Sequence, residues 1–156
     1  MAVIFSLDAA LRESDADTLL LAETVWDLHC CEVRVAAITS QTWREVRQPV
    51  RELLGDGAVE TLITGDEVCQ LKPDPEIYRK ALTALGIRAT EAIAVEDSAA
   101  GLRAALRAGL ATIVVGTRPG RTDLRTSATK TQRHAGGAVS MQECRRLLLG
   151  SPRLTA

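Results

Sequence analysis

The chain has 156 residues, of which 46% are hydrophobic and 25% charged, and its formal net charge is −1. It is long enough for one domain with a buried core, which we place at residues 1–156, and too short for two full domains. The near-zero net charge argues against a nucleic-acid-binding surface, and no apolar run approaches the roughly 18 residues that span a bilayer.

The start of the chain and its cysteines bear on the cellular compartment. Residues 1–5 lack the basic start of a secretion signal, so we expect a cytoplasmic protein without membrane contact. The four cysteines show no CxxC spacing, so we assign them no disulfide and no metal. Cys30 and Cys31 fall at a predicted helix end, where we expect small packed side chains.

Strands and helices alternate along the predicted chain. Short apolar runs predict strands, and apolar residues at helical spacing predict helices. The expected strands are residues 2–7, 33–39, 59–64, 92–95 and 110–115, with a possible short strand at 137–139. The expected helices are residues 15–28, 42–54, 76–85, 99–108 and 141–149, and residues 116–137 form a long loop rich in Arg and Thr. This order predicts a doubly wound α/β domain with a mostly parallel sheet of five or six strands.

Polar side chains follow several of the predicted strands directly. Asp8 follows the first strand, Thr39-Ser40 ends the second, and Glu96-Asp97 ends the fourth. Lys72 stands at a helix entrance. Because open α/β sheets bind ligands at the carboxyl ends of their strands, these groups suggest a divalent cation and an anionic oxygen group. The alternative for the acidic pair is a solvated helix cap.

Two long segments then point to a family. The segments GDEVCQLKPDPEIYRKAL (65–82) and AIAVEDSAAGLRAALRAGL (92–110) strongly resemble the haloacid dehalogenase superfamily, particularly its phosphoglucomutase-like phosphatase branch. The resemblance implies a three-layer Rossmann-like core and a magnesium-dependent phosphatase. It also makes Lys72 the third motif of the family and Glu96-Asp97 the fourth. The second motif is a hydroxyl that hydrogen-bonds a phosphoryl oxygen; Thr39 matches it, with Ser40 as the runner-up.

The first motif departs from the family pattern. Relatives carry DxD after the first strand, whereas this chain has Ser6-Leu7-Asp8-Ala9. In relatives the first aspartate attacks the phosphoryl group and binds Mg²⁺, and the second, matched by Asp8, protonates the leaving group and activates water. The resemblance thus implies Ser6, Asp8, Thr39 and Lys72 as catalytic positions, and Asp8, Glu96 and Asp97 as metal ligands. A serine hydroxyl needs a base and would form a far more inert phosphate ester, so we expect impaired hydrolysis.

The resemblance also implies a missing cap domain. Most relatives insert a helical cap between the first strand and the next helix, but here the connection at residues 11–17 leaves no room for one. The site would stay open to water unless a large substrate or a partner covers it. We expect a phosphorylated small molecule or macromolecule as substrate and possible self-association, with Trp26 and Trp43 as core or interface residues.

Three functional interpretations follow from the sequence. The first is an impaired phosphatase-like hydrolase that uses Mg²⁺. The second is a catalytically inactive binding or scaffold protein with the same fold, which Ser6, Ala9 and the absent cap favour. The third is a receiver domain of two-component signalling, but such a domain carries its acidic pair after the first strand, whereas this chain carries Glu96-Asp97 after the fourth.

Overall fold

The protein is described by a computed structural model that covers residues 1–12, 16–116 and 139–150. Its described strands form one parallel sheet with the order β3-β2-β1-β4-β5. Buried apolar residues dominate the central strands, as expected where helices cover both faces of a sheet. The strands are β1 Ala2–Ser6, β2 Arg34–Ile38, β3 Thr61–Ile63, β4 Ala92–Glu96 and β5 Ala111–Val114.

Five α-helices connect or follow these strands in the described ranges. Gly86 ends α3 in the left-handed conformation (φ 64°), which glycine adopts at low cost, and the Ser98 hydroxyl caps α4 by accepting from the Gly101 amide. The helices are α1 Ala16–Cys30, α2 Trp43–Leu54, α3 Glu76–Leu85, α4 Ala99–Arg107 and α5 Met141–Leu149. The prediction of an α/β fold with a parallel sheet is confirmed.

The strand order places a topological switch point between β1 and β4. From β1 the chain moves outward through β2 and β3, then crosses back to add β4 and β5 on the other side of β1. The loops that leave β1 and β4 therefore run to opposite sides and open a crevice at their carboxyl ends. This crevice is where open α/β sheets bind ligands.

The sheet separates two hydrophobic cores. One face packs Val3, Phe5 and Val35 against α1 and α5. The other face packs Ile4 and Ile38 against α3 and α4. Three layers result, with the sheet in the middle, and this rigid centre fixes the side chains that leave its carboxyl edge.

Several sequence predictions need correction. Helical spacing groups Leu19 and Trp26 with the apolar residues of α1, yet Leu19 is 65% exposed and Trp26 39% exposed. Trp43, expected in the core or in an interface, is 53% exposed, so of these two places only the interface is left for it. Cys30 and Cys31 are exposed free thiols instead of packed side chains.

Other predictions concern the ends of elements. The third strand has three residues instead of the six expected. Val139 forms an isolated parallel bridge with Val115, while 137 and 138 lie outside the described residues. Residues 117–137 of the predicted loop and residues 13–15 of the connection at 11–17, which bears on the cap, likewise lie outside the described ranges.

Candidate active site

The predicted polar groups meet at the carboxyl edge of the sheet. Ser6 ends β1 and Asp8 follows it, Thr39 follows β2, and Glu96 ends β4. Lys72 reaches the same place from the loop before α3. All five side chains are buried. Their convergence follows from the parallel arrangement, because the carboxyl ends of the strands share one edge.

Lys72 lies at the centre of this cluster. Its Nζ atom is 2.7 Å from Ser6 Oγ, 2.9 Å from Asp8 Oδ2 and 2.9 Å from Glu96 Oε1. An ammonium has three N–H donors, so these contacts use all of them. Burial alone would lower the pKa of Lys72, but the charges of Glu96 and Asp8 outweigh it and raise that pKa, which keeps the side chain positive.

Asp8 accepts hydrogen bonds on both carboxylate oxygens. Oδ1 accepts from Thr39 Oγ1 at 2.8 Å and from the Ser40 amide at 2.8 Å. Oδ2 accepts from Ser40 Oγ at 3.1 Å and from Lys72. Burial by itself raises the pKa of Asp8, but the Lys72 charge and these hydrogen bonds together lower it below the ordinary value. Asp8 is therefore an ionised carboxylate at neutral pH.

Glu96 is a fully buried carboxylate with a complete set of partners. Oε1 accepts from the Tyr78 hydroxyl at 2.6 Å and from Lys72, and Oε2 accepts from the Asp97 amide and Ser98 Oγ at 3.2 and 3.3 Å. Burial, followed by the charge of Glu96, raises the pKa of Tyr78 well above its usual value, so Tyr78 stays a hydrogen-bond donor. Gly101 of α4 leaves the space for the carboxylate, because a Cβ there would lie 2.0 Å from Glu96 Cδ.

Asp97 lies beside the cluster. Its Oδ2 atom accepts from the Ala9 amide at 3.3 Å. Burial, with a further contribution from the Glu96 charge, raises the pKa of Asp97 to about 6. A cavity of about 100 Å³ borders Ser6 and Asp97 and is otherwise lined largely by apolar groups such as Leu21 and Met141.

Sequence comparison identifies the family. The haloacid dehalogenase-like hydrolase family matches residues 20–115, which is more than half of the chain. The chain belongs to the haloacid dehalogenase-like hydrolase family. The matched range contains Thr39, Lys72, Glu96 and Asp97, whereas β1 with Ser6 precedes it.

Individual relatives of this haloacid dehalogenase-like protein include phosphatases. Protein CbbY of Cereibacter sphaeroides is 37% identical over 110 residues, 69% of this chain and 45% of the relative. A phosphorylated carbohydrates phosphatase of Thermotoga maritima is 35% identical over 78 residues, 50% of this chain and 36% of the relative. This chain thus spans less than half the length of these two curated relatives.

A solved structure supports the same fold. A haloacid dehalogenase family hydrolase of Deinococcus radiodurans, with bound phosphate and sodium, has a TM-score of 0.69 and 27% identity to this chain. The match covers 87% of this chain and 60% of that one. This chain therefore has the fold of haloacid dehalogenase family hydrolases, and a phosphatase is among its relatives. None of the described helices is long and apolar enough to cross a membrane.

The haloacid dehalogenase family resemblance led us to expect Mg²⁺ at Asp8, Glu96 and Asp97, and the donor set tests this expectation. A carboxylate offers about four lone-pair positions. All four lone-pair positions of Asp8 and all four of Glu96 accept hydrogen bonds from the protein. Of these three carboxylates, therefore, only Asp97 has a lone pair left for a metal. Within the described ranges, no group of three or more His, Cys, Asp or Glu side chains is arranged to hold a metal. The arrangement therefore does not fit Mg²⁺.

Replacing Asp97 by asparagine is expected to stabilise this haloacid dehalogenase-like protein at neutral pH. The pKa of Asp97 is about 6 in the folded state against an ordinary value of 3.8, so the folded state binds more protons between these values. The free energy of unfolding therefore falls as the pH rises from about 4 to about 6. Asp97→Asn removes this loss, so the variant should be more stable by about 1–2 kcal/mol above pH 7. Asparagine keeps an acceptor for the Ala9 amide.

Urea unfolding of both proteins at pH 4, 5, 6 and 7.5 measures this difference. The two free energies should agree at pH 4 and diverge as the pH rises. A difference that is the same at every pH would contradict the raised pKa of Asp97.

Three contributors to the site were missed or ranked too low from sequence. Tyr78 stood inside the recognised KPDPEIY segment but received no role. Gly101 carried a signal that could have been used, because an isolated glycine inside a helix often marks a close packing contact. Ser40 was only the runner-up to Thr39, yet both residues bind Asp8.

Proposed function

We propose that this chain is a phosphatase-like hydrolase core that recognises a phosphorylated substrate and has very low turnover because residue 6 is serine. One observation carries this proposal: at the switch point Lys72 donates to both Ser6 and Asp8, and Thr39 donates to Asp8. The phosphatase among these relatives supports the choice of a phosphate ester. The proposal takes residues 1–156 as one core domain without an inserted cap.

The contacts of Ser6 explain why turnover should be low. Its hydroxyl oxygen accepts a hydrogen bond from Lys72, which draws electron density away from the atom that would attack phosphorus. Lys72, which contacts the hydroxyl, is already protonated, and the acceptor positions of Asp8 are filled by other donors, so neither can take the hydroxyl proton. Asp97 borders the same cavity, but its carboxylate makes no hydrogen bond with Ser6 in the structure. A serine nucleophile without a base is weak, and its phosphate ester would resist hydrolysis.

Asp8 also lacks the proton that it would need for the role implied by the family resemblance, which is to protonate the leaving group. Its lowered pKa keeps it ionised at neutral pH, so it cannot protonate a leaving group as the site stands. With all three Lys72 donors engaged inside the protein, the cluster also lacks a free positively charged donor for a phosphate oxygen. These facts favour a second candidate function, a catalytically inactive protein that keeps the fold for binding or scaffolding.

The cavity at the site and the exposed tryptophans guide the choice of substrate and partner in this proposal. The cavity borders Ser6 and Asp97, so a substrate in it would lie beside position 6, and the proposal includes both small and macromolecular phosphate esters as substrates. Trp26 and Trp43 are exposed and provide apolar surface for contact with a second copy of the chain. Homo-oligomer formation is thus part of the proposal.

Assay of the unaltered chain tests the proposal first. With p-nitrophenyl phosphate, hydrolysis should be close to the uncatalysed background, since loss of a covalent nucleophile costs about 10⁶-fold in another hydrolase class. Ser6→Ala should leave this rate unchanged, and so should the control variant Ser140→Ala, a serine substitution at the cap of α5. Robust turnover that Ser6→Ala abolishes and Ser140→Ala preserves would make serine the nucleophile and refute the proposal.

A further inference from the structure

The negative charges of Asp8 and Glu96 are balanced by a positively charged side chain of the protein itself, Lys72. Two buried carboxylates, Asp8 and Glu96, face each other across the Lys72 ammonium, which lies 2.9 Å from each. The Lys72 side chain is only 4% exposed. Buried charges persist in proteins when they are paired and hydrogen-bonded, and these three satisfy one another.

We propose that Lys72 is the resident cation of this site and that, together with Ser6, it prevents a divalent cation from binding there. The ammonium contacts three oxygens, from Ser6, Asp8 and Glu96, at the carboxyl ends of the neighbouring strands β1 and β4, and two of these residues are the carboxylates that would have to hold a divalent cation. It binds these oxygens through directed N–H donors, and every donor is used.

A divalent cation would have to break this network before it could bind. Mg²⁺ requires about six oxygen ligands at short distances, and Asp8 and Glu96 have no lone pair that is free of a protein donor. Binding would also force the cation against the Lys72 ammonium, and two positive charges at this distance repel strongly in a buried site. Displaced from the carboxylates, Lys72 would be a buried charge without partners.

Ser6 completes the arrangement because its side chain is neutral. Its hydroxyl takes the third donor of Lys72 without adding a negative charge. A carboxylate at this position would place three acidic groups around one ammonium. The excess negative charge and the added lone pairs would then favour a divalent cation.

Direct titration with Mn²⁺, followed by the electron paramagnetic resonance signal of the free ion, tests the proposal. Binding at this site is defined as the binding that Asp97→Asn removes. The unaltered chain should show none tighter than about 1 mM, the weak end of protein sites for divalent cations. Lys72→Met frees lone pairs on Asp8 and Glu96 and should tighten binding at least about tenfold, whereas Lys80→Met, which removes an exposed lysine paired with Glu67, should not.

Two results of this titration would contradict the proposal. Site binding tighter than about 1 mM by the unaltered chain would overturn the proposal, as would a folded Lys72→Met variant that binds no better. If Lys72→Met does not fold, Ser6→Asp replaces it: binding by that variant supports the proposal, and its failure to bind overturns it. Metal binding is read directly, so a failure here leaves the proposed hydrolysis of phosphate esters in place.

Discussion

Replacing Ser6 by aspartate is expected to raise the hydrolysis of an aryl phosphate by at least about 10³-fold. A carboxylate is ionised at neutral pH and attacks phosphorus without a base, and the acyl phosphate that it forms is readily opened by water. The variant also gives Lys72 a third acidic neighbour, which loosens its hold on Asp8. The gain rests on the proposed role of position 6 in a phosphatase-like site.

The assay uses p-nitrophenyl phosphate with Mg²⁺ and, in parallel, with a chelator. Ser6→Asn is the matched control, because asparagine has the shape of aspartate without its charge or nucleophilic oxygen pair. The double variant Ser6→Asp with Asp8→Asn should lose most of the gain. Equal rates for Ser6→Asp and Ser6→Asn, both in folded proteins, would favour the inactive binding protein instead.

The second large effect concerns stability at Gly101. In an exposed helix, replacing glycine by alanine stabilises by about 1 kcal/mol. Here the added Cβ would meet the buried carboxylate of Glu96 at 2.0 to 2.1 Å, which no side-chain contact tolerates. Glu96 cannot simply move, because its oxygens bind Tyr78 and Lys72. We expect Gly101→Ala to lower the free energy of unfolding by about 3 kcal/mol or more, through overpacking and disruption of the buried ion pair.

A double-mutant cycle separates the clash from any general effect on α4. Glu96→Ala removes the group that the new methyl would strike, so Gly101→Ala should cost little or even stabilise in that background. Urea unfolding of the four proteins measures the coupling. A Gly101→Ala loss of equal size in both backgrounds would show that Glu96 is not the cause.

Much of the fold could be predicted because its apolar pattern is strong. The buried strands are short apolar runs, and α3 and α4 follow helical spacing closely. The error in α1 has a physical cause: Thr24 is buried while Leu19 is exposed. The Thr24 hydroxyl bonds the Leu20 carbonyl at 2.6 Å, so a polar residue enters the core with its donor satisfied, which a count of apolar residues cannot foresee.

The site was predictable only to the level of which groups gather at one edge. Parallel topology brings strand ends together, so Asp8, Thr39 and Glu96 could be placed from the order of the elements. The direction of each side chain could not, since it depends on contacts between distant residues. Lys72 and Ser6 are 66 positions apart, and only the folded structure shows that the lysine donates to the hydroxyl.

Trapping a covalent phosphoenzyme tests the central claim about position 6 most directly. The unaltered chain and Ser6→Asp are incubated with a radiolabelled aryl phosphate, quenched in acid and treated with hydroxylamine, which cleaves acyl phosphates. We predict a hydroxylamine-sensitive label in Ser6→Asp, mapped by peptide analysis to position 6, and no label in the unaltered chain. A label on the unaltered chain, or a folded Ser6→Asp variant that hydrolyses the substrate without any label at position 6, would contradict the claim.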